Sequence, residues 1–350
     1  MGVDAYPSWT PDGAHILYQA QDASQPDRDR CLFLIPAQGG TAAPVACDDG
    51  LGSQDSTNVF GPAALSPSGK LIFYKSAEPT GFGVATTIGM YLAPIVPVAT
   101  SDSALALPVV STSGARADKL ISLRWLGDSG FLGLGIRTSL FTPYPCNACK
   151  QNDTLETGVQ VFWVDMRSTP PVVTPIPGTD RASSFSFVAP DTIYFTLNND
   201  NRILRTRIGG GAVDSVFAFA TDSNDAPAGF RSAVATIARG VQVTGHTAYA
   251  VLGGRVQYHP DSGSGEAQQD WGGKVHKINL TTGADTALSM APPPAGLGYV
   301  WMRHLALSPD GSMLTGEGRP VLLQQIVGGT WLGTDTTISP TANIWEYIHP

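Results

Sequence analysis

The chain has 350 residues, of which 14% are charged and 42% hydrophobic, with a formal net charge of −8. Charge is sparse beside the quarter typical of soluble domains, and acids outnumber bases. Nucleic acid is therefore excluded as a main partner, since such binding is driven by neutralising phosphates, and the hydrophobic content excludes general disorder.

The longest apolar stretch, near Met90 to Ala99, is broken by Pro94 and Pro97. It is about half the length of a membrane-spanning helix, so no transmembrane segment is expected. Met1-Gly2-Val3-Asp4 has neither the basic start nor the apolar region of a signal peptide, and the first motif begins at Pro7. The sequence reads as a mature or trimmed form.

In chain order, the first predicted element is a β-hairpin over residues 6–18, turning at Thr10-Pro11-Asp12-Gly13. Proline presets φ for the first turn position, and glycine accepts the positive φ at the end. A second strand pair comes next, Cys31–Ile35 turning at Gln38-Gly39-Gly40. The hairpin then recurs at Ser66-Pro67-Ser68-Gly69, with degenerate copies at Gly127-Asp128-Ser129-Gly130, around Pro190-Asp191 and at Gly245-His246. A well-kept copy returns at Ser308-Pro309-Asp310-Gly311. Further strand pairs turn near Met166, at Gly209-Gly210-Gly211 and at Thr282-Gly283. The beat is about sixty residues, and no helical periodicity interrupts it. Each unit reads as a four-stranded antiparallel meander. The chain is therefore expected to be all-β: a six-bladed β-propeller with almost no helix. Its blades fall roughly at 6–50, 60–112, 119–178, 182–220, 231–291 and 302–350. Residues 342–348 read as the third strand of the last blade, whose outer edge is incomplete or is completed from within 320–332.

These turn motifs resemble the TolB-like propellers of the Tol-Pal system, which are built from WD40-like (PD40) repeats. The resemblance extends over nearly the whole chain. It implies a six-bladed propeller that is commonly periplasmic, and it implies no activity.

Four cysteines are present. Cys31 and Cys47 are spaced like neighbours on adjacent strands, and Cys146 and Cys149 form a C-x-x-C. Two local disulfides in an exported protein are the favoured reading. Four free thiols or one zinc site from all four remain as alternatives. Lys150 stands where haem attachment normally needs histidine, and no βαβ unit surrounds the motif.

Catalytic signatures are missing from the sequence. No G-x-S-x-G, completed G-x-G-x-x-G, P-loop or H-E-x-x-H occurs. The histidines at 15, 246, 259, 276, 304 and 349 are scattered, and His15 and His246 read as surface residues. The runs at 198–201 and 221–225 lack the spacing of a calcium loop. No cofactor and no metal are expected.

The longer segments (48–60, 76–87, 138–157, 219–231, 253–273, 290–301 and 317–341) all fall on the propeller face opposite the tight turns. They carry Phe82, Phe141, Tyr144, Tyr258, Trp271, Tyr299, Trp301 and Trp331, of the residue types enriched at interface cores. Loops gathered on one face of a repeat array mark its binding surface. The expected function is a non-enzymatic scaffold docking a protein partner through this face. It would be a peripheral subunit on the periplasmic side of a membrane-embedded complex. The alternatives are a metal-dependent hydrolase like the propeller lactonases and a propeller binding small ligands or glycans. Trp9, Trp125 and Trp163 are expected between blades, where truncation to Ala costs roughly 3–5 kcal/mol.

Overall fold

The computed structural model describes residues 6–20, 31–47, 56–79, 87–94, 99–100, 105–107, 116–138, 156–169, 171–197, 200–220, 233–258, 267–271, 275–288, 299–321 and 343–348. Every helix or strand among them is a β-strand, and they form six sheets. Sheet I holds β1 (Ser8–Trp9), β2 (His15–Ala20), β3 (Cys31–Pro36) and β4 (Ala43–Cys47). Next come β5 (Ser56–Leu65), β6 (Lys70–Pro79), β7 (Thr87–Pro94), β8 (Ala99–Thr100) and β9 (Leu105–Leu107). Of these, β8 pairs in parallel with β4 at the edge of sheet I, and the others form sheet II. Sheet III contains β10 (Arg116–Trp125), β11 (Gly130–Thr138), β12 (Glu156–Asp165) and β13 (Val172–Pro175). Sheet IV contains β14 (Ala182–Val188), β15 (Thr192–Leu197), β16 (Arg202–Arg207) and β17 (Asp214–Ala218). Sheet V contains β18 (Ala233–Thr244), β19 (Thr247–Tyr258), β20 (Ala267–Trp271), β21 (Val275–Asn279) and β22 (Asp285–Ala287). Sheet VI contains β23 (Tyr299–Leu307), β24 (Met313–Val321) and β25 (Asn343–Ile348).

The strands follow the period of two that a pleated ribbon imposes. In β16, Leu204 and Thr206 are buried while Arg205 and Arg207 are exposed. Each described core cluster joins two sheets. Leu17 and Leu32 of sheet I pack with Ala63, Leu65 and Leu71 of sheet II. Leu132 and Val161 of sheet III pack with Phe185, Ile193 and Phe195 of sheet IV. Equivalent clusters join sheet IV to V and sheet V to VI. A sheet that buries its faces only against its neighbours is a blade, and the arrangement is a β-propeller.

The first strand of each sheet forms the hub. Contacts run β1–β5–β10–β14–β18–β23 and return from β23 to β1. Side-chain to backbone hydrogen bonds stitch this ring. Ser8 Oγ donates to the Ala63 carbonyl at 2.7 Å, and the Val241 and Val243 amides donate to Ser184 Oγ and Ser186 Oγ at 2.9 Å each. Trp9 Nε1 donates to the Ala306 carbonyl and Trp125 Nε1 to that of Ala64, both at 3.2 Å. Both indoles are half-buried and bridge two sheets. Trp163 is also half-buried, against the core between sheets III and IV. Trp331 lies outside the described residues.

The sheets are less uniform than six identical meanders. Sheet VI shows three strands among the described residues, with β25 third. In sheet V both β20 and β21 pair with β19. The segment Ala99–Thr100, expected in the second blade, pairs with sheet I because β4 exposes an unpaired edge there.

Candidate functional site

The tight turns are built by their own side chains. Thr10 Oγ1 donates to Asp12 Oδ1 at 2.5 Å and accepts from the His15 amide at 3.0 Å, while Asp12 Oδ1 also accepts the Ala14 amide. Ser308 and Asp310 repeat this, with Ser312 adding a hydroxyl bond at 2.7 Å. These hydroxyl bonds, Ser308 first, hold the Asp310 carboxyl down to about 2. In the copy where Ser68 replaces the aspartate, Asp128 of the neighbouring turn accepts the Ser68 amide at 3.0 Å. Gly13 lies against Pro309, and Gly311 against Thr244. The turns of adjacent sheets therefore sit side by side on one face.

The opposite face differs from the loops expected there. Much of the residue count is strand. β5 pairs with β6 outward to Ser56↔Pro79, and β18 with β19 to Ala233↔Val256, where β20 adds a further strand. β23 pairs with β24 to Tyr299↔Val321, and β10 with β11 to Arg116↔Thr138. A β-bulge separates each extension from the hub, between Phe60 and Ala63, Ala117 and Ser122, Arg239 and Gln242, and Arg303 and Ala306. In every case the extra residue belongs to the hub strand, which bends there and re-aims its outer segment. Three non-glycine residues take positive φ among the described residues, Tyr6 at 45°, Arg181 at 68° and His304 at 47°, and the rings of Tyr6 and His304 meet at 4.4 Å. The sequence reading missed these bulges. Two of them leave a trace in sequence, Gly61 and Gly240, and the other two contain no glycine.

Of the aromatics assigned to loops, Tyr258, Trp271, Tyr299 and Trp301 lie on strands β19, β20 and β23, with Trp271 opposite Gly254 and Trp301 opposite Arg319. Phe82, Phe141, Tyr144 and Trp331 fall outside the described residues. So do Cys146 and Cys149. Cys31 is fully buried on β3 and faces Cys47 of β4 as its register partner.

At the centre of the turn face is a cavity of about 270 Å³. All six hub strands line it, through Ser8 and Trp9, Ala64 and Leu65, Ser122 to Trp125, Phe185, Gln242 and Leu305 to Leu307, with Pro7, Pro11, Pro67 and Pro309 at the rim. Among the described residues the lining contains no Asp, Glu, His or Cys, and so no carboxylate to anchor a divalent cation. Among the described residues no three such side chains gather anywhere. His246 is exposed, as expected, and His276 is buried with Nδ1 2.8 Å from Asp285. Asp200, in the run checked for calcium, instead pairs with Arg202 at 2.7 Å. No helix among the described residues is long and apolar enough to cross a membrane.

No protein-family model matches the chain, and no curated protein does. Among solved structures it is similar to TolB from Acinetobacter baumannii, at 14% identity and a TM-score of 0.43, over 91% of this chain and 60% of that one. It thus spans less than two thirds of that TolB. A calcium-binding protein, regucalcin from Agrobacterium tumefaciens, gives 13% identity and a TM-score of 0.48 over 94% of this chain and 85% of that one. A luciferin-regenerating enzyme gives 10% and 0.46 over 90% and 83%.

Proposed function

We propose that the six sheets close as a six-bladed, TolB-like propeller acting as a non-enzymatic scaffold, and that the face opposite the tight turns holds a protein partner. The observation supporting this is the one-sided extension. Four sheets carry their strands past the hub bulge at the same end. Paired strands present backbone edges and aromatic-bearing ribbons that a partner can extend or cover. Among the described residues the hub cavity holds none of the acids that a lactonase-like site would need, so the hydrolase alternative stands second.

We place the protein in the periplasm, peripheral to a membrane complex, with the Cys31–Cys47 and Cys146–Cys149 pairs oxidised. The register pairing of the first two supports this. Intact mass and thiol alkylation of unreduced protein test the compartment, and four reactive thiols would overturn it. The partner is tested by purification from the protein's own solubilised membranes, and then by binding to the purified partner. Trp271→Ser and Trp301→Ser are expected to weaken that binding about tenfold or more, the loss of a contact of about 1.4 kcal/mol or more. Asp128→Asn on the turn face is expected to leave it unchanged. A solitary monomer, or loss only through the turn face, would refute the reading.

A further inference from the structure

Among the described residues lining the hub cavity, Arg124 alone is charged. It sits on β10, one residue before the indole that bridges to sheet II. Among the described residues no carboxylate lies within ion-pair distance of its guanidinium, although Arg167, Arg202 and Arg205 each have one. Burial lowers its pKa, and no charge partner among the described residues offsets that cost. The nearby turn acids Asp12, Asp128 and Asp310 are each held by hydroxyl and amide donors of the turns. Arg124 is half-buried, so a partly desolvated cation with no counter-ion among the described residues, in a chain of net charge −8, gains from an anion that completes it.

The surroundings narrow the anion. A guanidinium presents a planar fork matching a carboxylate in two parallel bonds. One cation, with acids beyond the rim, suits a single negative charge better than a phosphate dianion. The remaining walls are mixed: Trp9, Trp125, Phe185 and Pro309 are apolar or aromatic, with Ser8, Ser122 and Gln242 as neutral polar groups among them. At about 270 Å³ the space is below the usual range for drug-sized ligands.

We propose that the hub cavity is a binding site for a small apolar monocarboxylate, its carboxylate on Arg124 and its hydrocarbon against Trp9, Trp125 and Phe185. The site lies on the face opposite the proposed partner surface, so the two readings stand or fall separately.

Because two tryptophans line the cavity, intrinsic fluorescence and calorimetry on the full chain report its occupation. The probes are benzoate and hexanoate, with benzamide and inorganic phosphate for comparison. Saturable binding of a carboxylate is expected. It should weaken about tenfold or more with benzamide and with Arg124→Gln, as loss of a charge-assisted pair implies. Arg124→Gln should change the stability of the unliganded protein little, because it removes a half-buried charge that has no ion-pair partner among the described residues. The melting temperature of the variant checks folding, and Arg124→Lys supplies a second folded variant keeping charge without the fork. No saturable carboxylate binding, equal binding by Arg124→Gln, or tighter binding of phosphate than of either carboxylate would overturn the assignment.

Discussion

Gly130 opens β11 at a point where two neighbours leave no room for a side chain. A Cβ there would lie 2.3 Å from the Val164 carbonyl oxygen and 2.5 Å from the Trp163 ring. The carbonyl belongs to a paired strand and cannot swing away. Gly130→Ala should therefore destabilise the protein by about 1–3 kcal/mol, as overpacking does, measured by urea unfolding. An unchanged midpoint would show that the indole does not lie over this glycine. Asp310 makes a pH prediction. Its carboxyl falls from the ordinary 3.8 to about 2 on folding, so its contribution is fully present above the unfolded value and is lost as pH falls through the folded one. The melting temperatures of wild type and Asp310→Asn should converge as pH drops from about 5 towards 2. A gap independent of pH would mean that the carboxylate is not what the turn uses. The turn motif itself was legible in sequence because its bonds are local, within five residues from Thr10 to His15.

Hub strands are joined by bonds between residues far apart in sequence. Ser186 is buried and accepts the Val243 amide. Ser186→Ala strands that amide and should cost about 1–3 kcal/mol. Trp125→Phe keeps a ring but removes the bond to the Ala64 carbonyl, and about 1 kcal/mol is expected. Chemical denaturation of the two variants checks both values, and a neutral Ser186→Ala would show the hub is held by packing alone. Hairpins, their order and their apolar hub residues were readable: Ala63, Ala64, Leu65, Leu123, Phe185 and Leu305 are all buried. The bulges were not, since an extra residue in one strand shows only against its partner, as at Arg239 and Gln242 opposite Val251 and Tyr249. For the same reason, segments read as loops proved to be strand continuations. Residues such as Gly253 and Gly254 read as breakers until they pair across with Ile237 and Thr236.

For the whole molecule, a closed ring of blades implies a small radius. A compact domain of 350 residues should give a radius of gyration near 20 Å. Small-angle scattering giving a value well above that would indicate a ring that does not close. The sequence alone determined the all-β class, the sixty-residue beat, the turn chemistry and the absence of the familiar catalytic motifs. Those features depend on neighbours along the chain. Tertiary structure decided which strands extend beyond the hub, that β8 crosses to sheet I, and that Arg124 meets Trp9 and Phe185 around one cavity. Those depend on residues brought together from sheets far apart in sequence, and no local pattern encodes the distance between them.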